Sequence, residues 1–332
     1  MLILGVETSC DDTAAAVLLN GRTVLANLVS SQDVVHSPFG GVVPELASRQ
    51  HIRHIVPILD GALEKAGVGL KDLAGIAVTR GPGLVGSLLV GLSVVKGISF
   101  RWDIPYVGVN HLEGHLLAIF LEREVSFPYI ALLASGGHTL LYLVRAFGDY
   151  LYLGGTRDDA AGEAYDKVAK MMGLGYPGGK VIDQLAKGGN AEVVDFPRAR
   201  MKQDSYDFSF SGLKTAVWHY LHKEGRDTWE AQKANIAASF QEAAVDMLVA
   251  PTLRAARELG VSRIVLSGGV AANSRLREKM MEETEEEQME VYFPSPALCT
   301  DNGAMIALSG YYWLKRGHRD DFRLNADAAL TL

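Results

Sequence analysis

Cysteine is scarce in this chain of 332 residues: there are two, Cys10 and Cys299. No disulfide framework can be built from them, and a reducing cytosol is the natural setting. Positive charge is also in deficit, with 32 Lys and Arg against 39 Asp and Glu, a net charge of −7. A protein that grips nucleic acid unaided is usually basic, so work on nucleic acid would need a local basic patch or a partner subunit. The candidate patches are Arg49–His54, Arg198–Lys202, Arg275–Lys279 and Lys315–Arg319, each equally readable as an ordinary solvated face. Long apolar runs are missing too. The stretch Leu84–Val95 contains Gly86, Ser87, Gly91 and Ser93, and is too short to span a bilayer. The opening residues, Met-Leu-Ile-Leu-Gly-Val-Glu-Thr, have neither a basic n-region nor a cleavage site, so no signal peptide is expected. No Gly-x-x-x-x-Gly-Lys-Ser/Thr occurs, which argues against a P-loop NTPase. Gly81-x-Gly83-x-x-Gly86 has dinucleotide-loop spacing but comes late. The acidic residue expected about 20 positions further on is missing, except for Asp103 in a loop.

What the chain does have is glycine, 35 residues in all, clustered at strand–helix junctions. Leu2–Glu7 reads as a strand, residues 8–12 as a polar turn and Ala14–Leu19 as a returning strand, which together make a hairpin. A helical stretch lies within Val42–Ala66, a strand at Leu73–Thr79, and a glycine-rich loop at Gly81–Ser87 opening a long helix. The pattern then recurs. Tyr129–Ala134 is a strand, residues 135–139 a turn and Leu140–Val144 a returning strand; later come the strand Ser262–Leu266 and the loop Ser267–Asn273, which opens a helix. Hairpin first, then strand, glycine loop and helix, in both halves: this is a duplicated α/β architecture. Two such lobes facing a cleft, with turns and helix N-termini lining it, suit a nucleotide.

The chemistry-bearing feature is His111 and His115, four residues apart and so on one face of a helix. Two neutral imidazoles there suit zinc or iron(II), with a third ligand from elsewhere. A zincin protease would need Glu beside the first histidine. Glu113 lies midway, rotated roughly 200° from the ligand face, so that mechanism lacks its base. Asp301, before the helix Ala304–Leu314, stands where it either caps that helix or supplies the third ligand. Asp11 is either a turn cap or a proton acceptor, and Asn273 either an N-cap or a ligand contact. Cys10 and Cys299 read as small buried residues, His51 and His54 as surface positions on a helix, His138 as a residue that orients its turn, and Lys214 as a solvated lysine or a phosphate contact.

Ten segments in order carry a family resemblance: Gly5-Val-Glu-Thr-Ser-Cys-Asp-Asp12, Gly40-Gly-Val-Val-Pro-Glu-Leu-Ala-Ser-Arg49, Gly81-Pro-Gly-Leu-Val-Gly86, His111-Leu-Glu-Gly-His115, Ser135-Gly-Gly-His-Thr139, Asp159-Ala-Ala-Gly-Glu163, Tyr176-Pro-Gly-Gly179, Phe208-Ser-Phe-Ser-Gly-Leu-Lys214, Gly268-Gly-Val-Ala-Ala-Asn273 and Cys299-Thr-Asp-Asn-Gly303. They cover essentially the whole chain, which resembles the universal tRNA threonylcarbamoyladenosine biosynthesis family, once described as a sialoglycoprotein endopeptidase. The bacterial branch fits best, because no kinase is fused to the chain. The resemblance implies the actin-like ATPase fold of sugar kinases and the Hsp70 ATPase domain. It divides the chain into a first lobe of residues 1–118 with 297–332 and a second lobe of residues 119–296. It implies transfer of threonylcarbamoyl from threonylcarbamoyl-adenylate to N6 of the adenosine 3′ of the anticodon, in tRNAs reading codons that begin with A, with release of AMP. It places metal ligands at His111, His115 and Asp301, the adenylate-binding segment at Leu133, Ala134, Ser135, Gly136 and Gly137, and ribose and adenine contacts at Asp166, Gly179, Asp183 and Asn273. The implied cofactor is one divalent ion, and the ligand set suits iron(II) or zinc better than magnesium. ATP, ADP or AMP would fit the adenylate site. The implied partners are tRNA, an inactive paralogue and a small ATPase, in the cytoplasm with no membrane. The family often carries Glu at position 12, where this chain has Asp12. Asp11, on the turn before it, is the expected proton acceptor.

Overall fold

The apolar segments that open the two halves of the chain become the central strands of two sheets. In the computed structural model, which describes residues 1–199, 201 and 205–332, the chain divides into unit 1 (Met1–Val125 with Thr300–Leu332) and unit 2 (Ser126–Cys299). Arg200 and Lys202, part of one candidate basic patch, lie outside the described residues. Unit 1 begins with β1 (Leu2–Glu7), β2 (Asp12–Leu19), β3 (Thr23–Ser31), α1 (Asp33–His36) and α2 (Pro44–Ala66). It continues through β4 (Gly75–Gly81), α3 (Val85–Trp102), β5 (Tyr106–Asn110) and α4 (His111–Leu117). Unit 2 contains β6 (Tyr129–Ala134), β7 (Thr139–Ala146), β8 (Asp149–Gly155), α5 (Ala161–Met171), α6 (Gly178–Ala186), α7 (Ser211–Glu224), α8 (Arg226–Ala231), α9 (Lys233–Leu259), β9 (Arg263–Ser267), α10 (Ser274–Glu286), β10 (Glu290–Tyr292) and α11 (Pro296–Cys299). The chain then returns to unit 1 with α12 (Gly303–Lys315).

The two sheets have one topology. In unit 1 the order is β3-β2-β1-β4-β5, and in unit 2 it is β8-β7-β6-β9-β10. Each has an antiparallel meander on one side of the first strand and two parallel strands on the other. A strand covered on both faces is apolar throughout, whereas an edge strand alternates. That is why β1 and β6 are buried along almost their whole length while in β3 Ala26 alone is fully buried. The registers Glu7↔Ala14 and Ala134↔Thr139 put the turns of residues 8–13 and 135–138 at equivalent sheet ends.

Helix α3 is longer than its apolar run, 18 residues, and by length and composition alone it could cross a membrane. It behaves as a core helix: Leu88, Leu92 and Val95 are buried against unit 1, and Lys96 Nζ donates to the Phe322 carbonyl.

Helix α12 approaches the sheet of unit 1 backbone to backbone. A Cβ at Gly303 would lie 2.5 Å from the Ala16 nitrogen, and one at Gly5 would lie 2.1 Å from the Gly303 oxygen. No side chain can yield there, so Gly303→Ala must lift the helix from the sheet. The expected cost is about 1–3 kcal/mol, read as a lowered urea midpoint; an unchanged midpoint would refute the close packing. Because Asp301 lies two residues upstream, the same variant is expected to bind zinc more weakly.

Candidate functional site

Helix α4 starts where β5 ends because Asn110 caps it: its Oδ1 accepts from the Leu112 N–H at 2.8 Å. This makes His111 the first helical residue and stacks His115 one turn later, with ring centroids 4.7 Å apart and nearly perpendicular. Both rings are buried. His115 Nε2 is 3.0 Å from Asp301 Oδ1, and His111 Nε2 is 3.6 Å from the same oxygen. One ligand atom from each of the three residues lies within 4.8 Å of the others. Ligands about 2.1 Å from a tetrahedral zinc stand roughly 3.4 Å apart, so the donor set and its spacing fit a divalent ion. Asp301 does not cap α12. Asn302 does, accepting from the Met305 N–H at 3.0 Å, and Asp301 Oδ1 faces the two histidines. Glu113 is turned away from the pair, as its helical phase requires, and accepts from Trp313 Nε1 at 2.8 Å.

Three residues that sequence reasoning missed support His111. Glu7 Oε2 lies 3.0 Å from His111 Nδ1, Thr79 Oγ1 donates to that same oxygen at 2.7 Å, and Ser9 Oγ lies 3.1 Å from Nδ1. Burial would pull the His111 pKa down, but the Asp301 and Glu7 carboxylates push it up to about 9.

The turn that carries Asp11 and Asp12 is held by His51. This residue is fully buried rather than on the surface as its sequence position implied, because α2 turns it inward against the hairpin. Its Nε2 pairs with the Cys10 carbonyl at 2.9 Å and its Nδ1 with Thr13 Oγ1 at 2.8 Å. His54 is half-buried and pairs with Ser30 Oγ at 2.7 Å, also unlike a free surface residue. Asp11 is half-buried on the turn. Asp12 opens β2, and burial, followed by the charges of Asp301 and Asp11, pushes its pKa up to about 8. Neither cysteine is in a disulfide; Cys299 is buried and Cys10 partly so.

Unit 2 holds the residues expected to bind the adenylate. Leu133 and Ala134 end β6 with their side chains in the core, so only their backbone is available to a ligand. The turn that follows is closed by Ser135, whose Oγ accepts from the His138 N–H at 3.1 Å and whose N–H donates to the His138 carbonyl. The Ser135 carbonyl accepts from the Gly162 N–H in the first turn of α5. Gly136 and Gly137 are exposed, and a Cβ at either would meet nothing within 4 Å. From there a relay of hydrogen bonds ties three helix starts together. Asp166 Oδ1 accepts from the Gly178 N–H at 2.7 Å, and Asp183 Oδ1 accepts from Ser274 Oγ at 2.8 Å. Asn273 caps α10 through the Leu276 N–H and donates Nδ2 to Gln241 Oε1 at 2.7 Å. Gly179, like Gly136 and Gly137, has open space where a Cβ would point. Asn273 is thus the N-cap its position suggested, and Asp166 and Asp183 each have a structural partner that sequence spacing alone does not reveal.

Two glycine loops are packing devices. A Cβ at Gly81 would lie 1.9 Å from the Asp327 oxygen, one at Gly83 2.5 Å from the Ser9 oxygen, and one at Gly268 2.3 Å from the Ala134 oxygen. These glycines admit the chain's own backbone. Two cations of the Arg275–Lys279 patch are matched by carboxylates, Arg275 by Glu242, Glu278 and Glu282, and Lys279 by Glu242 and Asp246, while Arg277 donates to the Ala271 and Pro294 carbonyls. Lys214 is neither solvated nor free for phosphate: its Nζ pairs with Asp159 Oδ2 at 2.5 Å.

Comparison with known proteins places the chain in a family. The family model described as tRNA N6-adenosine threonylcarbamoyltransferase matches residues 23–308. A tRNA N6-adenosine threonylcarbamoyltransferase of Anaeromyxobacter sp. is 55% identical over 334 residues, covering 100% of both chains. Among solved structures, component A of (R)-2-hydroxyglutaryl-CoA dehydratase from Acidaminococcus fermentans aligns with TM-score 0.56 at 17% identity, over 94% of this chain and 98% of that one. The ROK hexokinase of Thermus thermophilus aligns with TM-score 0.51 at 16% identity, over 96% of this chain and 100% of that one. At such identities these two likenesses show the fold alone, the duplicated α/β fold of actin-like ATPases and sugar kinases. The whole-length identity settles the rest: the chain belongs to the tRNA N6-adenosine threonylcarbamoyltransferases, enzymes of tRNA modification.

Proposed function

We propose that the chain transfers threonylcarbamoyl from threonylcarbamoyl-adenylate to N6 of the adenosine 3′ of the anticodon, in tRNAs reading codons that begin with A, with AMP leaving. The observation that carries the reading is the convergence of His111, His115 and Asp301 on one point. These residues would hold one divalent ion, iron(II) or zinc by their donor chemistry. When bound, such an ion supplies a Lewis acid for a carbamoyl or phosphate oxygen. The remaining work falls to side chains and backbone. The N–H groups of Gly136 and Gly137 bind phosphate, and the glycines leave room for its approach. Asp166 and Asp183 accept hydrogen bonds from ribose hydroxyls while holding their helices in place, and Gly179 and Asn273 border the nucleoside. Asp11 takes the proton from the attacking amine, a poor nucleophile because its lone pair is delocalised into adenine.

The same reading assigns partners. A net charge of −7, with Arg275 and Lys279 already paired to carboxylates, leaves the chain poorly equipped to hold tRNA alone. Ile52 and Val56 on α2, with Val85 and Leu89 on the neighbouring α3, are exposed apolar residues suited to a protein partner. We assign that surface to the inactive paralogue, with a small ATPase completing a cytoplasmic assembly. The test is a transfer assay with these subunits, threonylcarbamoyl-adenylate and unmodified tRNA, read by nucleoside mass analysis. Threonylcarbamoyladenosine is the expected product. Its absence when donor and tRNA are both bound would overturn the reading.

A further inference from the structure

Glu7 is an unusual residue to find in the middle of a core. It ends the central strand β1, and its side chain is wholly buried. A carboxylate in that position is costly unless its oxygens are matched by donors. Here they are: Ser9 N–H donates to Oε1, and Oε2 takes Thr79 Oγ1 at 2.7 Å and faces His111 Nδ1 at 3.0 Å. The other nitrogen of the same ring, Nε2, is the one directed at Asp301 Oδ1. A carboxylate has about four acceptor positions, so Ser9 and Thr79 leave room for the ring. What sets this contact apart is that the same ring faces Glu7 with Nδ1 and Asp301 with Nε2.

We infer that Glu7 is a positioning residue for the metal centre: it holds the proton of His111 on Nδ1 and so presents the Nε2 lone pair to the ion. The inference rests on the metal-assisted reading above and adds to it a residue that touches neither metal nor substrate. A carboxylate behind a ligating imidazole fixes its tautomer and ring orientation and makes it a better donor, and loss of such a partner typically weakens metal binding about 10–100-fold. Thr79 Oγ1 and the Ser9 N–H act one step further back by fixing the carboxylate itself, while Ser9 Oγ also faces the ring at 3.1 Å.

The test uses the full chain and zinc alone, with affinity read by competition against a chromophoric chelator and fold read by thermal melting. Glu7→Gln keeps the side chain's size and an acceptor but removes the charge. Its zinc affinity is expected to fall about 10–100-fold, and the absorption bands of the cobalt(II)-substituted protein should shift. A purely structural role would lower the melting temperature and leave both metal readouts alone, so a folded Glu7→Gln chain with wild-type zinc affinity and cobalt spectrum overturns the inference. Should that variant not fold, nitrogen NMR of zinc-loaded wild type, with His111 assigned by comparison with His111→Asn, decides. A proton on Nδ1 with zinc on Nε2 supports the inference, and zinc on Nδ1 overturns it. Wild type that binds neither zinc nor cobalt overturns the metal reading and this inference together; the Glu7→Gln result alone overturns only the inference.

Discussion

His115→Ala is expected to lower the rate of threonylcarbamoyl transfer by about a thousandfold or more, the range that loss of several kcal/mol of charge stabilisation implies. The single substitution is cleaner than His111→Ala/His115→Ala. His111 faces the fully buried Glu7, and removing one partner of a buried ion pair costs about 3–5 kcal/mol, so the double variant mixes catalysis with unfolding. His115 Nε2 instead meets Asp301, whose side chain is 20% exposed and can recover solvent. The measurements are metal content, thermal melting and single-turnover transfer with the partner subunits present. A folded His115→Ala chain that has lost its metal and keeps wild-type transfer would sink the metal-assisted reading. In that case the histidines would be core residues that happen to face a carboxylate.

How far this centre could be read in advance depends on which interactions are local. The i, i+4 spacing of His111 and His115 is written in the sequence, as are the strand Tyr129–Ala134 and the duplicated order of hairpin and glycine loop. Glu113 was correctly phased away from the metal face, though its partner Trp313 lies 200 residues along the chain and has no sequence signal. The role of Asp301 was not settled by its position, because an Asp before a helix can cap it or ligate a metal, and the cap falls on Asn302. His51 was misread because it sits among Ile52, Arg53 and His54, which are exposed or partly so, and only the hairpin packed beneath α2 makes it a buried hydrogen-bonding residue. Glu7 was invisible for the same reason: a carboxylate that closes an apolar strand looks like the strand's exit into solvent. The edge strands β3 and β10 lacked a clear pattern, one being half-exposed and the other three residues long.

Asp11→Asn is expected to slow transfer by about 10²-fold or more, the usual worth of a positioned proton acceptor, while affinity for donor and tRNA stays unchanged. Asp12→Asn is its control. Asp12 sits beside Asp11, but burial, with Asp301 and Asp11 adding their charges, pushes its pKa up to about 8. Burial biases Asp12 toward its protonated form, which makes it the weaker proton acceptor of the two. Asn in its place swaps one neutral group for another, and transfer is expected to fall no more than about tenfold, the range of a lost hydrogen bond. Stability gives an independent check on the metal-free protein. The folded pKa of Asp12 lies above its unfolded value of about 4, so its contribution to stability is full below that value and is lost as pH rises through about 8. Asp12→Asn should therefore flatten the fall of the urea midpoint across that window. If Asp12→Asn stops transfer and Asp11→Asn does not, the acceptor is Asp12 and the turn held by His51 serves the neighbouring carboxylate. If both substitutions leave the rate intact, neither carboxylate takes the proton.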